Sequence, residues 1–84
     1  MTHRARVTVF TRATCGLCRQ AEAVVAQVAA GRADVEHVDI DEDPSLTDRY
    51  TVRVPVVAVD GEELFEYVVD ADALRDALTR AARD

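Results

Sequence analysis

The sequence predicts an α/β fold in which a four-stranded mixed sheet carries helices on its faces, in the order β-α-β-α-β-β-α. Short β-branched runs alternate with helical patterns along the 84 residues, and one Asp-Gly turn joins the last two runs. A strand, helix, strand unit requires a parallel pair with a right-handed crossover, whereas a hairpin adds antiparallel strands. Because the chain has no repeat and no linker, we expect residues 1–84 to form a single domain.

The first half of the chain predicts a strand, a helix and a second strand. Arg6–Thr11 is β-branched and apolar on both faces, which is typical of an interior strand. Gly16–Ala30 has apolar residues at helical spacing, and Gly31 follows where a helix commonly ends. Val35–Ile40 predicts the second strand.

The second half predicts a short helix, a hairpin and a closing helix. Residues 43–50 begin with Asp-Pro, a good helix cap followed by a natural first helical residue. Pro55–Val59 is an apolar run headed by proline, Asp60-Gly61 is a type I′ turn signal, and Glu63–Val68 is the returning strand. Asp70 can cap the last amphipathic helix.

Composition excludes two classes of function. Sixteen acidic residues against ten basic ones give a net charge of −6, which is the wrong sign for binding a phosphate backbone. No apolar run approaches the roughly 20 residues needed to span a bilayer, and no apolar leader follows the first residues. We therefore expect a soluble cytoplasmic monomer with neither nucleic acid nor membrane as a partner.

Two cysteines three residues apart, Cys15 and Cys18, are the strongest functional signal. They lie where the first strand ends and the first helix begins, so one helical turn places both side chains on the same face. The helix N-terminus favours the thiolate of Cys15, and Cys18 should be the more shielded of the two. The pattern predicts thiol–disulfide exchange, with Cys15 attacking a substrate disulfide and Cys18 resolving the mixed disulfide.

Other uses of the cysteine pair fit less well. A structural disulfide would close a loop too short to remove much chain entropy. A zinc site needs four ligands, and only His3 and His37 are further candidates, so we expect no metal. A peptide-binding module without turnover, and an iron–sulfur carrier made by dimers that pool Cys15, stay open as alternatives.

The cysteine motif and its context resemble the glutaredoxin-like proteins of the thioredoxin fold. The resemblance rests on Thr-Arg-Ala-Thr-Cys-Gly-Leu-Cys at residues 11–18, Val54-Pro55 before the third strand, Asp60-Gly61 in the hairpin and the closing helix. It implies a dithiol–disulfide oxidoreductase that needs no cofactor beyond the Cys15–Cys18 disulfide. Its substrates would be disulfide-containing proteins or small-molecule thiols. Its electrons would come from a low-molecular-weight thiol or from a flavoprotein of the thioredoxin-reductase type.

The same resemblance implies roles for residues outside the motif. Pro55 would be a cis-proline opposite the cysteines, and the Val54 backbone would hydrogen-bond an extended substrate. From the residues alone, a trans proline at the start of a strand is the commoner arrangement. Arg12 matches the basic residue near the glutathione carboxylate. The Gly-Gly pair of glutathione-binding glutaredoxins falls on residues 65–66, which are Phe-Glu here, so the sequence is closer to a small divergent branch.

Charge is unevenly distributed along the chain. Residues 1–33 hold five Arg and one acid, whereas residues 34–84 hold five Arg and fifteen acids. Arg19 follows Cys15 by four residues and Arg53 precedes Pro55 by two. We therefore expect a locally positive thiol site, in which added salt raises the pKa of Cys15.

Overall fold

The computed structural model describes residues 4–82, and within them the predicted order of elements and the mixed four-stranded sheet are confirmed. A 3-10 turn at Ile40–Glu42 precedes the second helix. None of the helices in this range is long and apolar enough to cross a bilayer. The strands are β1 (Ala5–Thr11), β2 (Ala33–Asp39), β3 (Val56–Val59) and β4 (Glu62–Glu66), and the helices are α1 (Gly16–Ala29), α2 (Pro44–Tyr50) and α3 (Ala71–Ala81).

The sheet has the strand order β2-β1-β3-β4. β1 pairs in parallel with β2, where Val7 lies opposite Val35, and antiparallel with β3, where Val9 lies opposite Val57. β1 is therefore an interior strand, as its apolar residues on both faces predict. β2 and β4 form the two edges of the sheet.

Helices cover both faces of the sheet. α1 and α3 pack on one face, and their contact with the sheet forms the larger core, whose fully buried members include Val7, Val9, Val25, Val57 and Leu74. α2 covers the other face, where Ile40, Tyr50 and Val56 are buried and the ring of Phe10 stacks on Tyr50 with centroids 4.3 Å apart. This two-sided layering follows from an interior sheet that is apolar on both faces.

The second strand begins and ends earlier than predicted. β2 spans residues 33–39 rather than 35–40, so that all seven of its residues pair with the seven of β1. Ile40 instead begins the 3-10 turn, which Asp39 caps by accepting a hydrogen bond from the backbone N–H of Asp41. The fully buried Ile40 side chain thereby joins the α2 face of the core.

The fourth strand also ends earlier than predicted. β4 stops at Glu66 rather than Val68, because Tyr67 has a φ of 67° and leaves the extended conformation. The turn before β4 matches its prediction, since Asp60 and Gly61 have φ values of 50° and 88°, as a type I′ hairpin requires.

The topology brings two loops to one end of the sheet. β1 ends at Thr11 and leads into the loop before α1, while β3 begins at Val56, which pairs with Phe10 near the same end of β1. The cysteine motif and the Val54-Pro55 segment therefore lie at the same end of the sheet, although about 40 residues separate them in sequence.

Candidate active site

Cys15 occupies the N-cap of α1, as the sequence predicts. Its backbone is extended, with φ −113° and ψ 111°, and its Sγ accepts a hydrogen bond from the Cys18 N–H at 3.1 Å. The two Cα atoms are 5.1 Å apart and the sulfurs form a disulfide. A sulfur placed among the unpaired N–H groups of a helix start is in the position that best stabilises a thiolate.

The two cysteines differ in exposure. Cys15 is partly exposed, whereas Cys18 is fully buried. Leu17 between them is 41% exposed and adds an apolar surface beside the sulfurs. Only Cys15 can therefore attack an external sulfur or be attacked by one.

Val54-Pro55 is a cis peptide bond in the loop between α2 and β3. The Pro55 carbonyl accepts a hydrogen bond from the Tyr67 N–H at 2.9 Å, and the Tyr67 hydroxyl donates to the Val52 carbonyl at 2.7 Å. The Val54 N–H already donates to the Tyr50 carbonyl at 3.2 Å. Binding of a substrate backbone by Val54 stays a prediction, in which the Val54 carbonyl would accept a hydrogen bond from the substrate.

Arg12 lies in the loop before Cys15 and forms a two-point ion pair. Its Nε and Nη2 donate to the carboxylate of Asp41 at 3.1 and 2.6 Å, and Nη1 donates to the Thr51 carbonyl at 3.5 Å. The hydrogen bonds from Arg12 lower the pKa of Asp41 below its ordinary value. Arg12 thus connects the cysteine loop with the start and end of the α2 region.

Arg53 is held by two acids of β4. Its Nη2 donates to Glu63 at 2.7 Å and its Nε to Glu66 at 2.6 Å, while its guanidinium lies 5.2 Å from the centroid of the Tyr50 ring. Glu63 also accepts from the Tyr50 hydroxyl at 2.6 Å. The hydrogen bonds from Tyr50 and Arg53 lower the pKa of Glu63, and burial raises the pKa of Tyr50.

Arg19 reaches back along α1 toward the cysteine loop. Its Nη2 donates to the Arg12 carbonyl and to Thr11 Oγ1, both at 3.0 Å, and to Glu22 Oε2 at 2.7 Å. All three arginines expected near the site therefore lie close to carboxylates. A locally positive thiol site remains a prediction, and these acids offset part of the positive charge of the three arginines.

Three side chains of the site region, those of Thr11, Glu22 and Tyr67, make contacts that the sequence does not predict. Thr11 ends the predicted first strand and begins the motif at residues 11–18, but neither pattern indicates that the hydroxyl of this buried residue donates to Glu22 Oε2 at 2.6 Å. Glu22 lies four residues after Cys18 and three after Arg19, which is a helical spacing that could have drawn attention to it. Tyr67 falls within the predicted strand Glu63–Val68, and no local pattern indicates its two hydrogen bonds to residues 52–55.

Metal-ligating side chains do not assemble elsewhere in the described part of the chain. Across residues 4–82, no three His, Cys, Asp or Glu side chains lie close enough together to hold a metal ion. His37 is exposed on the edge strand β2, and His3 lies outside the described residues.

The architecture and the site define the class of protein. A mixed four-stranded sheet with α1 and α3 on one face and α2 on the other is a thioredoxin-like fold, and Cys15 and Cys18 at disulfide distance are consistent with a redox function. A family model for the glutaredoxin-like domain (DUF836) matches residues 6–79, so the chain belongs to this glutaredoxin-like family.

Solved structures support the same assignment. The chain is 38% identical to the target protein XcR50 from X. campestris, over 89% of this chain and 97% of that one, with a TM-score of 0.75. It is 33% identical to a mutant thioredoxin from Halobacterium salinarum NRC-1, over 98% and 78% of the two chains, with a TM-score of 0.72. Protein Ne2328 from Nitrosomonas europaea is 26% identical over 92% and 94%, with a TM-score of 0.75. No curated protein matches the chain.

Proposed function

We propose that this protein is a dithiol–disulfide oxidoreductase that reduces disulfides through Cys15 and Cys18. The observation that carries the proposal is the asymmetry of the pair: a partly exposed Cys15 caps α1, and a fully buried Cys18 lies one turn further on, within disulfide distance. That arrangement supplies one accessible nucleophile and one protected resolving thiol.

The reaction proceeds in two exchanges. In the reduced protein the Cys15 thiolate attacks one sulfur of the substrate disulfide, forms a mixed disulfide, and releases the other substrate sulfur as a thiolate that takes up a proton. Cys18 then loses its proton and attacks Cys15 Sγ, which releases the second substrate thiol and leaves the Cys15–Cys18 disulfide. Two electrons pass from the protein to the substrate, and an external thiol or reductase returns them.

Protein disulfides are the substrates that the surface favours. Apolar side chains around the site are exposed at Leu17, Val52, Tyr67 and Val68. Tyr67 and Val68 line a small pocket of about 70 Å³ against α1, and exposed apolar side chains around a pocket suit contact with a peptide segment. The same surface would serve the alternative of a peptide-binding module without turnover.

Glutathione is the less favoured electron donor. Its recognition requires cations for its carboxylates, and Arg12 is engaged by Asp41 while Arg53 is engaged by Glu63 and Glu66. A carboxylate ligand would have to displace these internal partners. We therefore expect a flavoprotein of the thioredoxin-reductase type to support faster turnover than glutathione.

The proposal is tested by substituting each cysteine. Cys15→Ser should abolish reduction of a protein disulfide such as that of insulin, because the nucleophile is lost. Cys18→Ser should retain the first exchange and accumulate a mixed disulfide that mass spectrometry detects. The assay is run with a thioredoxin-reductase system and with glutathione as alternative electron donors.

The double variant Cys15→Ser/Cys18→Ser is the control for uncatalysed reduction. Activity of Cys15→Ser equal to that of the unmodified protein would refute the exchange mechanism. A mixed disulfide that forms equally well on Cys15→Ser would reverse the two roles. An iron–sulfur carrier would instead purify with iron that is lost in Cys15→Ser.

A further inference from the structure

Three side chains meet beneath the loop that leads to Cys15, and we call them the Arg19 cluster: Thr11, Arg19 and Glu22. Glu22 Oε2 accepts hydrogen bonds from the Thr11 hydroxyl at 2.6 Å and from Arg19 Nη2 at 2.7 Å, and Arg19 also donates to Thr11 Oγ1. Thr11 is 8% exposed, so its hydroxyl depends on partners within the protein. The cluster is therefore closed by its own hydrogen bonds at the end of β1.

The cluster lies on the helix that begins at Cys15. Arg19 is four residues after Cys15, on the same side of α1, and its guanidinium points back to the Arg12 carbonyl at 3.0 Å. A positive charge held toward the start of a helix adds to the field that favours a thiolate there. Glu22 places a negative charge on the same guanidinium and so subtracts from that field.

Other acids do not take this role. Arg12 is paired with Asp41 beside the 3-10 turn, and Arg53 is paired with two acids of β4. Among the ion pairs of the described residues, only Arg19–Glu22 has both partners on α1, the helix that begins at the cysteines. Side chains on one helix keep their spacing whatever binds at the neighbouring loops.

We propose that Glu22 is a positioning residue that sets the reactivity of Cys15, by holding Arg19 in place and offsetting its charge, with the Thr11 hydroxyl as its anchor. The inference rests on the proposed oxidoreductase function and assigns a residue that tunes it. By limiting the stabilisation of the thiolate, Glu22 keeps the disulfide the more stable form and the protein the stronger reductant.

A cavity of about 190 Å³ opens beside the cluster, and three further charged or titratable side chains line this cavity. They are the side chains of Arg12 from the loop and of His37 and Asp39 from β2. Asp39 already accepts the Asp41 N–H. These groups stay unchanged in the variants below, so differences between variants report on the cluster itself.

The decisive variant is Glu22→Gln, because the amide oxygen can still accept from Thr11 and Arg19 while the negative charge is removed. The pKa of the Cys15 thiol, followed by thiolate absorbance in the reduced protein, should fall by about half a unit, roughly a threefold rise in the ratio of thiolate to thiol. The reduction potential against a glutathione buffer should rise by about 14 mV, which corresponds to a threefold change in the equilibrium constant. Arg19→Gln should shift both quantities in the opposite direction.

Asp72→Asn is the matched control. It removes one acid from an i,i+3 ion pair with Arg75 on α3, so the net charge changes equally while the cysteine helix is untouched. Neither the thiol pKa nor the potential should change. Urea denaturation of each variant verifies that it folds.

Unchanged values in Glu22→Gln, or equal shifts in Asp72→Asn, would overturn the assignment, as would shifts of the same sign in Glu22→Gln and Arg19→Gln. Both readouts are measured on the cysteine pair itself and need no substrate. If Cys15→Ser retained activity, the proposed function would fail while these shifts could still be present. If Glu22→Gln caused no shift and Cys15→Ser were inactive, only the role of Glu22 would fail.

Discussion

At the scale of single residues, several polar groups serve purposes that their local pattern does not indicate. Tyr50 ends a short helix, and its ring stacks on Phe10 while its hydroxyl reaches Glu63. Arg53 covers the same ring and binds the same acid. Tyr50, which is 2% exposed, therefore joins the apolar core beneath α2 to the ion pair between Arg53 and Glu63 of β4.

Tyr50→Phe should lower the free energy of unfolding by about 1–2 kcal/mol, because a partly buried hydrogen bond to a charged acceptor is lost while the ring packing is kept. The measurement is urea denaturation followed by circular dichroism. Tyr67→Phe is the control. Tyr67 is 45% exposed and its hydroxyl donates to the Val52 carbonyl, so removing this hydroxyl should change the free energy of unfolding by less than about 1 kcal/mol. An equal effect of the two substitutions would contradict the importance of burial.

At the scale of elements, each helix begins at a residue whose side chain satisfies free backbone N–H groups. Cys15 accepts from Cys18 at the start of α1, and Asp43 accepts from Ser45 at the start of α2. Asp70 accepts from both Asp72 and Ala73 at the start of α3. A sulfur at the first of these positions is a weaker acceptor than a carboxylate, which is consistent with a residue placed there for reactivity.

Asp70→Ala should destabilise the protein by about 1 kcal/mol, because α3 loses the acceptor for two N–H groups and a negative charge at its N-terminus. Asp76→Ala removes an exposed acid from the middle of the same helix and should change stability by no more than about 0.5 kcal/mol. Thermal and urea unfolding of the two variants give the comparison. Were the two losses equal, the capping argument would be wrong.

At the scale of the whole molecule, acids from distant parts of the sequence are paired with the arginines around the site. Asp41 precedes α2 and binds the loop before Cys15, whereas Glu63 and Glu66 belong to β4 and bind the loop before Pro55. The net charge of −6 therefore describes the outer surface better than the site. The fold uses part of its acidic excess to hold the two site loops in place.

The hydrogen bonds of these and other carboxylates predict how the free energy of unfolding depends on pH. Hydrogen bonds lower the pKa values of Asp41, Asp43 and Glu63 in the folded protein, so the stability they contribute is complete above their unfolded values, about 4, and is lost as pH falls through the folded values. Urea midpoints should fall from about pH 4.5 downward, where the protein is below its pI of about 4.7 and its growing positive charge adds repulsion to the loss of these hydrogen bonds. Glu63→Gln should make this decline shallower, and a midpoint that rose toward about pH 3 would contradict the argument.

The sequence by itself determined the features that depend on neighbours in the chain. The order of elements, the Asp43 and Asp70 caps, the Asp60-Gly61 turn and the cysteine pair at a helix start all follow from spacing and backbone preference over a few residues. The ends of β2 and β4 differ from the prediction, because strand pairing with β1 and the left-handed backbone at Tyr67 decide them.

Only the tertiary structure decided which charges and hydroxyls meet. Thr11 reaches Glu22 because α1 packs beside the end of β1, and Arg53 reaches β4 because β4 pairs with the strand that follows the Arg53 loop. The cis bond before Pro55 is likewise a property of the folded loop and not of the dipeptide, whose own preference is trans. Local sequence therefore specified the cysteine pair at the helix start, and tertiary packing specified the charges in the loops around it.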